Sequence, residues 1–393
     1  MRKVRKLVFE LFILSLLPFM STEVGAQNLG ASDVKRVLAL SLDNETAFPG
    51  YFGSNFHYAS DKKVFVYYNQ ITSSLKYFDV ASGVNLGETR LQTLGPNSVG
   101  QEPYYSHYHT QDSIFVFARF GKLALTLVND QGTKVGEFDF GSISDFSQVP
   151  YPRMSNGFGG IEVVGSRIYM GLQVAHNLYN NTKAPVIIID MVTGKYEYLK
   201  MPIPYTELNF KRLPKSGQIE FYESRLMIDR ADSSLILTYP VPEDIFKISD
   251  KIVERISLQS EKPIGDFDFL KADNNNYSNS DVEYTKIIMT NPRNLGSLYD
   301  AFNEVYYFIR KTKGDPKLYD KMINGLGKFY YDYSYEVYDK EFNLLDLKVI
   351  SSKHLVPNKG VVVSPEGLWV LMPQGDNEDI MELALLNLNL VKN

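Results

Sequence analysis

Apolar positions along this chain fall into short runs separated by polar turns, not into long stripes at helical spacing. One pattern recurs: an apolar run, a short break, a second run ending in a turn of Asp or Asn with Gly, then a third run. The first copy reads Val64-Phe-Val-Tyr-Tyr68, Leu75-Lys-Tyr-Phe-Asp-Val80, the turn Ala81-Ser-Gly83, and Asn85 to Leu91. A second has Ile114-Phe-Val-Phe117, Leu123 to Val128, Asn129-Asp-Gln-Gly132, and Lys134 to Phe140. A third has Arg167-Ile-Tyr-Met170, Val186-Ile-Ile-Ile-Asp190, Val192-Thr-Gly194, and Lys195 to Met201. Looser copies follow over Arg225 to Leu258, Val305 to Ile350 and Leu368 to Leu390.

The copies begin near positions 64, 114, 168, 226, 305 and 368. A sheet of three or four strands cannot bury both faces alone, so repeated sheets stack around an axis. The pattern predicts an all-β fold, a β-propeller of six blades, with seven possible if the polar segment Glu261 to Tyr284 adds strands. The strand-like stretch Val34 to Leu42 belongs to no unit, and is placed as the outer strand of the last blade, closing the ring. A two-sheet sandwich and a parallel β-helix are the competing architectures, the latter disfavoured by the long repeat.

Composition agrees with strands: the chain holds 27 tyrosines and 24 phenylalanines, one tryptophan and no cysteine. Without cysteine, disulfides, thiolate chemistry and lipid attachment through an N-terminal cysteine are all excluded. Arg2, Lys3, Arg5 and Lys6 precede an apolar stretch from Leu7 to Met20, and Val24-Gly-Ala26 supplies small residues at a cleavage point. Residues 1–26 read as a cleaved signal peptide and 27–393 as a single propeller domain, periplasmic or extracellular and with no transmembrane span after processing. The net charge of −5 becomes more negative once the basic leader is removed, which argues against a nucleic-acid partner.

The turns Phe78-Asp-Val-Ala-Ser-Gly83 and Val128-Asn-Asp-Gln-Gly132, the segment Leu94-Gly-Pro-Asn-Ser-Val-Gly100 and the leader together resemble uncharacterised exported propeller proteins of Bacteroidetes, the domain-of-unknown-function family numbered 4221. The resemblance covers nearly the whole chain after the leader, and implies a fold and a compartment but no activity or catalytic residues. Members are often lipoproteins; this chain lacks the cysteine.

No nucleophile elbow, zinc-protease motif, Walker loop or EF-hand loop occurs, and Gly157-Phe-Gly-Gly160 is too short for a dinucleotide site, so no cofactor is expected. Candidate ligand-binding residues come from position in the repeat. His107 and His109 share one face of a strand, and aligning Val64 with Ile114 puts His57 opposite His107 in successive units. Asp300 aligns with His109 in the fifth unit, and Arg119 and Arg310 occupy comparable late-strand positions. These groups could meet at a central channel around an anion or a metal, or serve as packing, each Arg pairing with a carboxylate of the next blade. Tyr104, Tyr105, Tyr108, Tyr151, Phe158 and Tyr179 lie between strands, where an aromatic binding face would be built.

Two functions follow. The first is a module binding a glycan, peptide or protein; the second is a hydrolase or lyase using the histidines with carboxylates such as Glu102, Glu162, Asp266 or Glu283.

Overall fold

A computed structural model describes residues 32–46, 48, 56–120, 124–139, 151–152, 161–173, 186–199, 225–229, 234–238, 244–249, 252–258, 286 and 289–391. Strand β1 (Val34–Ser41) comes first, followed by six sheets in chain order. Blade I holds β2 (Phe56–Ala59), β3 (Val64–Asn69), β4 (Ser74–Asp79) and β5 (Asn85–Arg90). Blade II holds β6 (Gln101–Thr110), β7 (Ser113–Phe120), β8 (Ala124–Val128) and β9 (Lys134–Asp139). In blade III, β10 (Tyr151–Pro152) and β11 (Ile161–Val164) both pair with β12 (Arg167–Gln173), which leads to β13 (Val186–Asp190) and β14 (Tyr196–Leu199). Blade IV is β15 (Arg225–Asp229), β16 (Ser234–Thr238), β17 (Asp244–Ser249) and β18 (Ile252–Ser257). Blade V is β19 (Arg293–Asp300), β20 (Val305–Lys311), β21 (Asp332–Tyr338) and β22 (Leu344–Ser351), with helix α1 (Pro316–Ile323) inserted. Blade VI is β23 (Val361–Ser364), β24 (Gly367–Leu371) and β25 (Ile380–Leu386).

The chain is a six-bladed β-propeller. All described pairings are antiparallel, and one joins the two ends of the chain: β1 adds to the free edge of β25, Leu38 opposite Leu383 and Leu40 opposite Met381. The expected closing strand is therefore the outer strand of blade VI. The fourth repeat is offset from the expected register, since Leu226 lies in the first strand of its blade whereas Val64, Ile114 and Ile168 lie in second strands. Glu261 to Tyr284 lies outside the described residues.

Because strand side chains alternate, each central strand packs one set against the blade before and the other against the blade after. Val64 and Val66 meet Ile114 and Val116 of blade II, while Phe65 and Tyr67 meet Trp369 and Leu371 of blade VI. Phe115 and Phe117 continue into Ile168 and Met170 of blade III, and Tyr307 and Ile309 into Leu368 and Val370 of blade VI. The core is thus a set of inter-blade layers. First strands touch one another around the ring, β23 with β2, β2 with β6 and β19 with β23, so they line the axis.

The turn from third to fourth strand is built the same way in four blades. Asp79 accepts from the backbone N–H of Ser82, Asp190 from Val192 and Thr193, Asn129 from Gln131 and Thr133, and Asp339 from Glu341 and Asn343. Gly83 has a second duty, because the turn of blade I lies against the closing strand. Ser41 N–H donates to the Gly83 carbonyl, and a Cβ on Gly83 (φ +72°) would stand 1.9 Å from the carbonyl oxygen of Ala39.

The segment leaving β1 is pinned by charge. Lys76, 2% exposed, holds Asp43 at 2.7 Å and Glu88 at 2.5 Å. Burial pushes the Asp43 carboxyl up, but the hydrogen bonds from Lys76 and Thr46 outweigh it and leave Asp43 below its ordinary value. Burial likewise opposes the charge on Lys76, yet its two carboxylates raise it above the usual lysine range.

Gly83→Ala is expected to lower unfolding free energy by about 2–4 kcal/mol in urea titration, through clash and positive φ together. Gly95→Ala, also at positive φ but with open space around it, should lose only about 1 kcal/mol.

Candidate functional site

The two ends of the ring differ. At the end where first strands finish, the connections are short: 60–63, 111–112, 165–166, 301–304 and 365–366, joined by the third-to-fourth turns 80–84, 129–133, 191–195 and 339–343. The described inter-blade connections, 91–100 and 352–360, emerge at the opposite end, together with the insertion 312–331 between β20 and β21. Long segments on a rigid scaffold are where binding residues gather. The candidate site is the mouth of the axis at that end.

The first-strand histidines do meet. His57 is opposite Val66, which faces blade II, and His107 is opposite Phe115, which faces blade III. The two residues therefore hold equivalent positions, although the second strands correspond as Val66 with Phe115, one residue off the alignment of Val64 with Ile114. Their rings lie 5.3 Å apart, edge to face. His57 Nε2 is 2.7 Å from the carbonyl oxygen of Ser106, which only accepts, so Nε2 carries the proton and the neutral ring crosses the blade I–II boundary as a donor. Burial depresses His57 to about 4, against a smaller upward pull from that carbonyl.

Register places Glu162, opposite Tyr169, at the same position in blade III. Exposed His109 lies in the irregularity between Tyr108 and Thr110. Asp300 instead matches Ala59, each closing the first turn of its blade, and is fully buried. It accepts from Phe302 N–H, from the backbone and side chain of Asn303, and from Tyr307 Oη at 2.9 Å. Among the described residues no group of three or more His, Asp or Glu is arranged to hold a metal ion.

Tyr105 is 4% exposed and packs in the layer between blades II and III. Tyr108 is buried and donates to the Asp61 carboxylate. Arg310 is also buried, 3.4 Å from Glu336, which in turn accepts from Ser334 and Tyr338. Its carboxylate partner stands in the same blade, not the next, because β20 and β21 are adjacent strands and their side chains share a face. The side chains of Glu102, Tyr104, Arg119 and Tyr151 lie outside the described residues, as do Phe158, Tyr179, Asp266 and Glu283 altogether.

The mouth at blades V and VI brings together groups that the repeat pattern does not single out. Tyr333 Oη donates to Asn358 Oδ1 at 3.2 Å and lies 3.1 Å from Tyr331 Oη. Lys311 Nζ sits 5.1 Å from the Tyr331 ring centroid and donates to the Met289 carbonyl at 2.8 Å. Next to Asn358, where the innermost strand of blade VI begins, the Lys359 ammonium rests 5.6 Å over the Phe48 ring. Lys359 is half-buried and forms no ion pair among the described residues, and burial holds it below the ordinary lysine value. Its signal in sequence is faint: no acidic residue occurs between Asp346 and Glu366.

Two outcomes test these assignments. Since His57 has a folded pKa of about 4 and an unfolded value near 6.5, the unfolded state binds more protons between them, and stability falls as pH drops through that window. Between pH 7 and 5 the wild type should lose about 2 kcal/mol more than His57→Gln, which can still donate to Ser106, in urea unfolding. Glu336→Leu should cost about 3–5 kcal/mol in the same measurement, by removing the carboxylate that stands 3.4 Å from the buried Arg310 guanidinium.

The family model for the domain of unknown function DUF4221 matches residues 30–346. No curated protein matches this chain. Among solved structures, a DUF4221 member from Bacteroides vulgatus is similar, with 16% identity and a TM-score of 0.66 over 91% of this chain and 97% of that one. A Bacteroides fragilis protein named as exported is similar at 11% identity and a TM-score of 0.52, over 93% and 98%. At such identities the likeness shows the fold, whereas the family model spans most of the sequence. The chain therefore belongs to the DUF4221 family.

Proposed function

We propose that this chain is an exported binding module that holds an anionic ligand, a glycan or peptide bearing carboxylate or sulfate groups, at the mouth formed by blades V, VI and I. The observation that carries the reading is Lys359. Among the described residues this half-buried ammonium has no counter-charge, an unfavourable state that an anion arriving from outside would relieve. Around it the half-buried Tyr331 offers a ring and a hydroxyl, and Asn358 an amide held by the hydroxyl of buried Tyr333, side-chain chemistry that grips a polar ligand with flat apolar faces.

Export is supported by the leader pattern of residues 1–26 and by the fold shared with the Bacteroides fragilis protein named as exported. Among the described residues no helix is long and apolar enough to cross a membrane.

Calorimetric titration with matched neutral and acidic oligosaccharides and peptides tests the reading. An acidic member should bind, and Lys359→Met should weaken it about tenfold or more at unchanged melting temperature. Binding that is indifferent to ligand charge, or unaltered in Lys359→Met, would overturn it.

A further inference from the structure

Between β20 and β21 the chain leaves the blade as a helical hairpin over residues 312–331. Asp315 caps α1 by accepting from Lys317 N–H at 2.8 Å, and Asp320 pairs with Lys286 at 2.8 Å. The hairpin is fixed from beneath. Tyr319 is 2% exposed and meets Phe329 edge to face at 5.7 Å, and Phe329 so closely approaches Gly314 that a Cβ there would lie 2.6 Å from the ring.

Such rigid docking leaves the outer side unusual. Leu318, Ile323 and Leu326 are exposed, Leu326 at 75% between Gly325 and Gly327. Lys317, Lys321 and Lys328 are exposed beside them, and none forms an ion pair among the described residues. Residues 312–331 carry four lysines against two aspartates, of which Asp320 is paired with Lys286, so the hairpin is positive on a chain whose net charge is −5.

We propose that this hairpin docks the propeller on an anionic lipid surface, Leu318, Ile323 and Leu326 entering the headgroup boundary and the three lysines meeting lipid phosphates. The composition favours a bilayer over a protein partner. Protein interfaces are depleted in lysine and anchored by aromatic residues and arginine, whereas the exposed side of this hairpin pairs lysine with aliphatic side chains. Aliphatic tips ringed by lysines match the two attractions a bilayer offers, apolar burial and a negative surface potential.

The test uses a chain starting at Gln27, which keeps every described residue and omits the apolar leader that would partition by itself. Co-sedimentation with phosphatidylcholine vesicles should show little binding, and vesicles with a third phosphatidylglycerol should bind the chain at low salt and release it in 0.5 M salt. Lys317→Gln, Lys321→Gln and Lys328→Gln should each weaken binding roughly fivefold. The pair Ile323→Ser and Leu326→Ser should also release the chain, with circular dichroism unchanged. Absence of binding to the anionic vesicles, or binding that survives the serine pair, would overturn the proposal. Binding of the chain to soluble acidic proteins at equal strength, lost in the same variants, would assign the hairpin to a protein partner instead.

Discussion

Everything in this ring depends on one pairing made across the greatest distance in the chain, that of β1 with β25. Five of the blades complete themselves from consecutive strands, but blade VI has only three of its own and would leave β25 as an open edge. Filling that edge from the N-terminal side joins the last blade to the first. Leu38 and Leu40 enter the same apolar layer as Phe65, Phe78 and Trp369, so the closing strand also completes the layer between blades VI and I. Gly83 and Lys76 then secure the junction from the blade I side, one by permitting backbone contact and the other by holding Asp43.

Closure has a functional consequence. Once the ring is fixed, chain direction alone sends the described inter-blade connections to the same end, and the described turns at the opposite end are short. The first strands deliver their starting residues to that crowded end. Lys359, Tyr333 and Asn358 converge there because the path from blade V to blade VI must cross the mouth.

Much of the fold was legible in the residues because period-two alternation and turn chemistry are local properties. The runs at Val64, Ile114, Ile168 and Val305 are second strands of blades, and the stretch from Val34 closes the ring as its lack of a repeat partner implies. The offset at Leu226 has a physical cause: β15 and β16 are both short aliphatic runs, and alternation does not tell first from second. Pairing of His57 with His107 was readable since equivalent positions in successive blades must be neighbours. By contrast, Lys76 and Lys359 are ordinary polar letters in sequence. What distinguishes them is the presence or lack of a counter-charge among the described residues, a spatial property set by residues remote in the chain.

Ring closure is tested most directly by covalent capture. Ala39 lies opposite Glu382 in the β1–β25 ladder, and the chain holds no cysteine of its own, so Ala39→Cys with Glu382→Cys introduces the sole pair of thiols. Mild oxidation should link them quantitatively within the monomer and raise the melting temperature by about 5–10 °C, since the bond closes most of the chain into one loop. Thiols that stay free under oxidation, with an unchanged melting temperature, would contradict closure by the N-terminal strand.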